Sequence, residues 1–375
     1  MPDSLLRMKA LIKKEGLQII RDPSSILIAV VLPILLLFLY GTGVSLDLDH
    51  LRIGLVLEDT SPDARSFAES FVDSRYFDVK IVRDRRELLP EIERGKIRGF
   101  VVVPSYFSEF RHRPDAIAPI QVIADGSEAN TANFVQYYAW GAFQNWLRQE
   151  AISSDLKGLP LIATEPRFWY NDTLESRYFL LSGSLAIIMT LIGTLLTALV
   201  VSREWERGTM EALISTPVGK WEIVAGKTVP YFFLGMISMS ICLFVSTVIY
   251  RIPFRGSILA LFLCSASFLV CSLGIGLFIS ILSKIQIISS QIAIIIGFLP
   301  AYILSGFLFE ISSMPSWIQV LTYFMPARYF VQSLQTLFLV GNVWPLFWKN
   351  IAVMILMSGI LFFLISRKLA KRLDA

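Results

Sequence analysis

The stretch YFLLSGSLAIIMTLIGTLLTALVV (178–201) runs, after Ser202, straight into REWERGTMEALISTP (203–217). The first part is 24 residues long and carries no charge. A helix rises about 1.5 Å per residue and the hydrocarbon core of a bilayer is about 30 Å thick, so this run is long enough to cross a membrane. The second part packs five charged residues into the nine from Arg203 to Glu211. Such density cannot enter hydrocarbon, so the chain leaves the membrane there.

Five more stretches meet the length and hydropathy requirement: Ser24–Leu46, Val229–Tyr250, Ser257–Ser283, Ile285–Phe309 and Leu346–Ser366. Lys349 sits near the start of the last, where its side chain can snorkel to the headgroups. The first run is too long and too late for a signal peptide and lacks a small-residue cleavage pattern, so it reads as a permanent anchor. Composition agrees. The 375 residues are 54% apolar and only 17% charged, where a soluble domain is about a quarter charged. The expected fold class is a polytopic α-helical membrane protein with six transmembrane helices.

Positive charge sets the orientation. With the N-terminus inside, the inner segments hold Arg7, Lys9, Lys13, Lys14, Arg21, Arg203, Arg207, Lys220, Lys227, Lys284, Arg367, Lys368, Lys371 and Arg372. The short outer segments hold only Arg251, Arg255, Arg328 and Lys349. Fourteen against four places both termini in the cytoplasm. In Leu5–Arg21 the apolar Leu5, Met8, Leu11, Ile12, Ile19 and Ile20 share one side of a helix, away from most of the lysines. Residues 1–23 therefore read as a cytoplasmic interfacial helix resting on membrane lipid, with a basic flank that only sets topology as the competing reading.

Residues 44–177 differ from the rest, with 16 basic and 21 acidic side chains, a net of −5; the remainder carries 18 and 9, a net of +9. The first transmembrane helix is thus 24–46, and an extracytoplasmic α/β domain fills 47–177. Within it, 51–57, 79–82, 99–103 and 120–124 read as strands. The segments 64–74, 85–96 and 130–153 read as helices. Neither histidine (His50, His112) nor any cysteine (Cys242, Cys264, Cys271, all in apolar runs) builds a metal or disulfide cluster. Asp125 and Glu128 have no partner that would make them an acid pair, and no nucleophile motif is present. The basic excess lies beside apolar runs and serves topology, so no nucleic acid partner is expected. No cofactor is expected either.

The charged stretch after residue 201 is too long for a turn. Gly208 breaks the helical extension, Thr209 can cap a short helix running from Met210, and Pro217 ends it. The coupling loop so formed, 202–228, places a short helix with carboxylates at Glu204, Glu206 and Glu211 on the cytoplasmic face. A membrane protein moved by a soluble motor needs such a lever; a charged loop serving only topology is the alternative. Between the fifth and sixth spans, Met314, Pro315, Trp317, Pro326, Tyr329 and Phe330 combine helix-breaking prolines with interfacial aromatics, as an outer gate would.

REWERGTMEALISTPVGKWEIVAGK (203–227) strongly resembles the loop after the second span in permeases of type-2 ABC exporters, with the pattern RE-x-E-x-GT-x-E-x-L-x-x-(S/T)P followed by GK. LSGFLFEISSMPSWIQVLTYFMPARYFVQSLQTLFLVG (304–341) resembles the same family, in which this region forms short helices re-entering the outer leaflet, here 308–341. Glu310 departs from the pattern, standing where relatives often have proline or a small residue. The outer insert is similar to that of the multidrug-efflux branch. The resemblance implies that Glu204, Glu206, Gly208, Thr209, Glu211 and Pro217 form the coupling helix and its approach, seated in a groove of a separate ABC ATPase dimer. It implies export of drugs or other hydrophobic, lipid-like molecules across a bacterial cytoplasmic (inner) membrane.

The chain supplies no motor of its own. Gly226-Lys227-Thr228 ends like a phosphate loop, but Trp221 stands where G-x4-GK(S/T) requires glycine. The spans lack the acids of a proton-coupled carrier. Six spans enclose little space, so a second permease copy or a paralogue is expected, and a periplasmic adaptor is a further possible partner. The other classes are a sensor or scaffold whose outer domain binds a ligand or partner, an intramembrane enzyme, and a channel.

Overall fold

The structure, a computed structural model, describes residues 2–43, 50–74, 76–111, 120–127, 129–153, 170–171 and 175–368. The chain divides into two compact units: Met1–Ser45 with Arg167–Ala375, and Leu46–Pro166. His112, Glu128, Lys371, Arg372 and the last residues of the expected first span lie outside the described residues.

The larger unit is helical. Among the described residues, a helix over Pro2–Arg21 precedes six helices long and apolar enough to cross a membrane: Pro23–Gly43, Ser176–Glu206, Lys220–Ile249, Ile258–Ser283, Gln286–Leu304 and Trp344–Lys368. These bounds match the hydropathy reading to within three residues, except where helix continues past the apolar run and in the fifth span, which ends five residues before Phe309, where Gly306 turns to φ +84°. The second span extends five residues beyond Val201 and the third starts nine before Val229, because Glu, Trp, Lys and Arg are adequate helix formers once outside hydrocarbon.

The second span is the axis of this unit, buried along most of its length. Its interior residues are accordingly small or hydroxylated. Gly193 packs on Ser272, and Gly276 of the fourth span packs on the Thr194 carbonyl and the Thr197 side chain. Thr197 Oγ1 donates to the Leu273 carbonyl (2.9 Å), and Ser280 Oγ accepts from the amides of Val201 (3.0 Å) and Ser202 (2.9 Å). Small residues let helix backbones approach, and hydroxyls then bridge them, which is how helices associate without a hydrophobic drive.

The first span shows the same rule. Pro33 has no N–H to offer the Ala29 carbonyl, and the helix widens into a π-turn at Leu27–Val31. Ser238 of the third span donates to that carbonyl instead (2.5 Å).

Between the fifth and sixth spans the chain forms a 3-10 turn (Ile311–Ser313) and helices over Ser316–Thr322 and Pro326–Gln335. Glu310 shapes the entry: its carbonyl accepts from Ser313 Oγ (2.7 Å) and its carboxylate from Ser312 Oγ (2.6 Å).

The smaller unit holds a four-stranded sheet in the order β2-β1-β3-β4, with β1 Leu51–Leu57, β2 Phe77–Val82, β3 Gly99–Val103 and β4 Gln121–Ala124. β1 is parallel to β2 and β3, and β4 is antiparallel to β3. Helices Pro62–Val72, Phe107–Arg111 and Ala129–Ser153 supply an aromatic core in which Phe67, Phe71, Phe107 and Trp146 are fully or almost fully buried. The single helix expected over 85–96 is two pieces, a 3-10 turn at Arg85–Glu87 and a helix at Leu89–Glu93. Pro90 lacks the amide that would continue the first piece. Asp59 closes the loop after β1 by accepting from the amides of Ser61 (2.8 Å) and Ser108 (2.9 Å). Burial raises its pKa, but those amides outweigh burial and hold the carboxyl below the usual range.

Gly276→Leu should prevent close approach of the second and fourth spans and cost several kcal/mol, by about the scale of overpacking, read as a large drop in melting temperature in detergent. Asp59→Ala should cost the smaller unit about 2 kcal/mol, the value of a hydrogen bond to a charged group. Because the folded pKa is depressed, that contribution is present above about pH 4 and fades as pH falls through the lowered value; pulse proteolysis at neutral and acid pH measures it.

Candidate functional site

The last turn of the second span is charged yet mostly buried: Arg203 and Glu204 are 8% and 4% exposed. The helix stops at Glu206 because Gly208 adopts φ +69°, a left-handed conformation that a side chain would resist. A new helix, Thr209–Ile214, begins at once with Gly208 in the capping position. The expectation that Thr209 caps this helix is corrected. The turn at Gly208 is so tight that Thr209 is already helical, and its hydroxyl donates back to the Glu204 carbonyl (3.3 Å). Ser215 and Thr216 end the helix by donating to the carbonyls of Ala212 (2.8 Å) and Leu213 (2.6 Å), with Pro217 exposed just beyond.

A six-residue helix is not stable alone. Met210 anchors it, being 1% exposed among Val218, Ile223, Val224, Leu277 and Ile281. The anchored helix leaves Glu206, Gly208, Thr209, Glu211 and Pro217 at the surface. Glu206 has a second engagement, accepting from the backbone amide of Gln286 (2.7 Å) and from that residue's side chain. It thus caps the start of the fifth span, where a carboxylate also complements the helix dipole. Lys284 lies over the Trp205 ring at 4.8 Å.

Glu204 points the other way, into a closed ring of four charges. Lys227 Nζ contacts Glu204 Oε2 (2.6 Å) and Glu15 Oε1 (3.3 Å); Lys14 Nζ contacts Glu204 Oε1 (2.6 Å) and Glu15 Oε1 (3.3 Å). Glu15, Glu204 and Lys227 are 2–4% exposed. Burial lowers the Lys14 pKa, but the two carboxylates more than offset this and raise it above the ordinary lysine value. Beside the ring, Arg203 Nη1 meets Asp22 Oδ2 at 2.6 Å. Burial raises the Asp22 pKa, but hydrogen bonds from Ser25, Ser24 and Arg203 pull it well below the carboxylate range. Sequence reasoning missed Lys14, Glu15, Asp22 and Lys227 as partners. The available signal was Lys227 itself, since a charge in the mouth of an apolar helix demands a counter-ion; only the fold reveals which one.

The six residues read as an outer gate fall into three groups. Phe330 is fully buried and stacks on Phe268 (4.2 Å, 13°), while Tyr329 is buried and donates its hydroxyl to the Tyr323 carbonyl (3.0 Å). Pro315 and Trp317 are exposed and Met314 is half-buried on the preceding segment. Pro326 lines a cavity of about 580 Å3 whose walls come from the second, fourth, fifth and sixth spans, including Phe268, Ile275, Ile296 and Met357. The lining is almost wholly apolar and suits a hydrophobic occupant.

Five spans around a buried sixth, with the short Thr209–Ile214 helix rooted at one end, define a polytopic membrane protein. The chain belongs to the ABC-2 transporter family: the family described as "ABC-2 family transporter protein" matches residues 23–367. It is 48% identical over 368 residues, 98% of both chains, to "Probable multidrug ABC transporter permease YbhS" of Escherichia coli K12. It is 28% identical over 349 residues to "Probable multidrug ABC transporter permease YbhR" of the same organism, covering 92% of this chain and 93% of that one. The "Inner membrane transport permease YhhJ" of Escherichia coli K12 shares 28% identity over 251 residues, 65% of each chain.

Lys227→Met should leave the buried carboxylates of Glu204 and Glu15 sharing only the half-exposed Lys14 and cost about 3–5 kcal/mol, as breaking a buried ion pair does. Lys14→Met, on a half-exposed side chain, should cost much less, and thermal melting of the purified chain ranks the two.

Proposed function

We propose that the chain is the permease subunit of an ABC exporter, moving drugs or other hydrophobic, lipid-like molecules outward across a bacterial cytoplasmic membrane. ATP is hydrolysed by a separate ATPase dimer, and a second permease copy or a paralogue completes the path. Both termini and the 203–219 segment face the cytoplasm; the α/β unit and the helices before the sixth span face outward, where that unit can meet a periplasmic adaptor.

The observation that carries this reading is the Thr209–Ile214 helix, exposed on its carboxylate side and rooted in the bundle by Met210. A push on it reaches the second, third and fourth spans through the apolar cluster around Met210. The apolar cavity supports a hydrophobic cargo, as do the relatives named for multidrug transport. Lys227, the lysine of the incomplete phosphate loop, is spent in the buried ring and is not free to hold a phosphate. Glu204 belongs to that ring, so the ATPase-facing surface in this reading is Glu206, Gly208, Thr209, Glu211 and Pro217.

Co-purification with the partner ATPase tests the assignment. Glu206→Lys with Glu211→Lys should weaken recruitment at least tenfold, while Gln286→Ala, which removes only the side-chain contact to Glu206, should leave it unchanged. Full recruitment by the double variant would remove the coupling role from this helix, and ATP hydrolysis by the chain alone would overturn the division of labour.

A further inference from the structure

Just after the fifth span, Gly306 takes φ +84°, and the turn is so close that an added Cβ would lie 3.1 Å from Ile311 Cδ1. The chain then carries Glu310 and Ser312 to one wall of a cavity of about 280 Å3. The other wall is the helix Pro326–Gln335, on which Arg328, Gln332 and Gln335 stand at i, i+4 and i+7 and so share one side. Asn350 of the sixth span fixes that helix, donating from Nδ2 to the Tyr329 carbonyl (3.2 Å) and to Ser333 Oγ (3.0 Å).

The polar groups lining this cavity are only partly engaged. Arg328 gives one N–H to Thr322 Oγ1 and lies 4.0 Å from the centre of the Tyr323 ring, which leaves most of its five donors unused. The Glu310 carboxylate accepts from Ser312 Oγ (2.6 Å). These are the two charged side chains of the lining, and among the described residues no ion pair joins them to each other or to a third group. Ser305, 2% exposed, accepts from the Phe307 amide (3.3 Å) and donates to no described residue. Gln335 Nε2 is buried without a partner among the described residues. Buried polar groups are ordinarily answered. A fitting occupant accepts hydrogen bonds along the helix side and donates at Glu310.

The neighbouring residues fix the depth. Leu308 and Phe309 precede Glu310, and Trp317, Tyr323 and Phe324 lie on or just after the helix Ser316–Thr322; all five are 45–70% exposed. So much apolar surface does not face water, and free charges do not sit in hydrocarbon. Tryptophan and tyrosine beside such charges mark the headgroup layer. A ligand of that layer with both signs of charge is a phospholipid whose phosphodiester carries an amine. The guanidinium fork suits the phosphate oxygens, and a carboxylate suits the ammonium.

We propose that this cavity binds the headgroup of a zwitterionic phospholipid bearing a primary amine, such as phosphatidylethanolamine, with its phosphate on Arg328 and its ammonium on Glu310. The acyl chains lie along the exposed apolar residues beside the cavity. Assignment to the outer leaflet rests on the orientation given above; the binding itself does not.

Native mass spectrometry of the delipidated full chain in detergent micelles, titrated with phosphatidylethanolamine or phosphatidylglycerol of identical acyl chains, tests this. Wild type should bind one phosphatidylethanolamine and prefer it by about tenfold or more. Glu310→Gln should abolish the preference, because it removes the ammonium contact and keeps the phosphate contact. Arg328→Gln should weaken both lipids by about tenfold or more. Equal affinity of wild type for the two lipids, or a preference that survives Glu310→Gln, overturns the proposal. Should Arg328→Gln fail to fold, Glu310→Gln still decides, since Glu310 is exposed. Glycerophosphoethanolamine, the same headgroup without chains, should compete at least about a hundredfold more weakly, because it buries no hydrocarbon. Competition at equal concentration would mean a soluble phosphodiester ligand and would overturn the lipid assignment. The measurement needs neither ATPase nor transport, so its failure leaves the permease reading standing, and failed ATPase recruitment leaves lipid binding unaffected.

Discussion

A helix enclosed by other helices inside hydrocarbon has no water to turn to, and the second span is such a helix along most of its length. Each polar group on it must be answered from within the protein. Its middle is answered by hydroxyls and by glycine, which bring the fourth span close enough for Thr197 to reach the Leu273 carbonyl. Its end is answered by charge, as Arg203 and Glu204 draw in Asp22, Lys14 and Lys227. The N-terminal helix lies where it does because the axis of the bundle emerges charged before it emerges into solvent.

The same constraint explains what sequence could and could not reveal. Hydropathy follows from bilayer thickness, a property of the surroundings, so the six apolar runs were legible, while the polar helical extensions of the second and third were not. Short apolar runs between turn-rich segments likewise marked the four described strands of the smaller unit, and acid excess marked it as distinct. Glycine and proline were reliable where their effect is local, as at Gly208, and the break at Pro90 could have been read the same way.

Pairing was not legible, because it depends on which helix ends meet. Lys227 stands 23 residues from Glu204 and 212 from Glu15, and no spacing rule joins them. Glu204 and Glu206 look equivalent in REWER, yet two residues along a helix is more than half a turn. One faces the ring and the other caps the fifth span. Tyr329 and Phe330 suggested an interfacial gate by composition, whereas Phe330 is committed to a stack with Phe268 in the interior.

The ring of Lys14, Glu15, Glu204 and Lys227 holds two positive and two negative groups. A displacement of these four together carries no net charge along the membrane normal, whereas a single charge moved across a membrane potential of 100 mV exchanges about 2.3 kcal/mol with it. As far as these groups go, such a displacement does no electrical work.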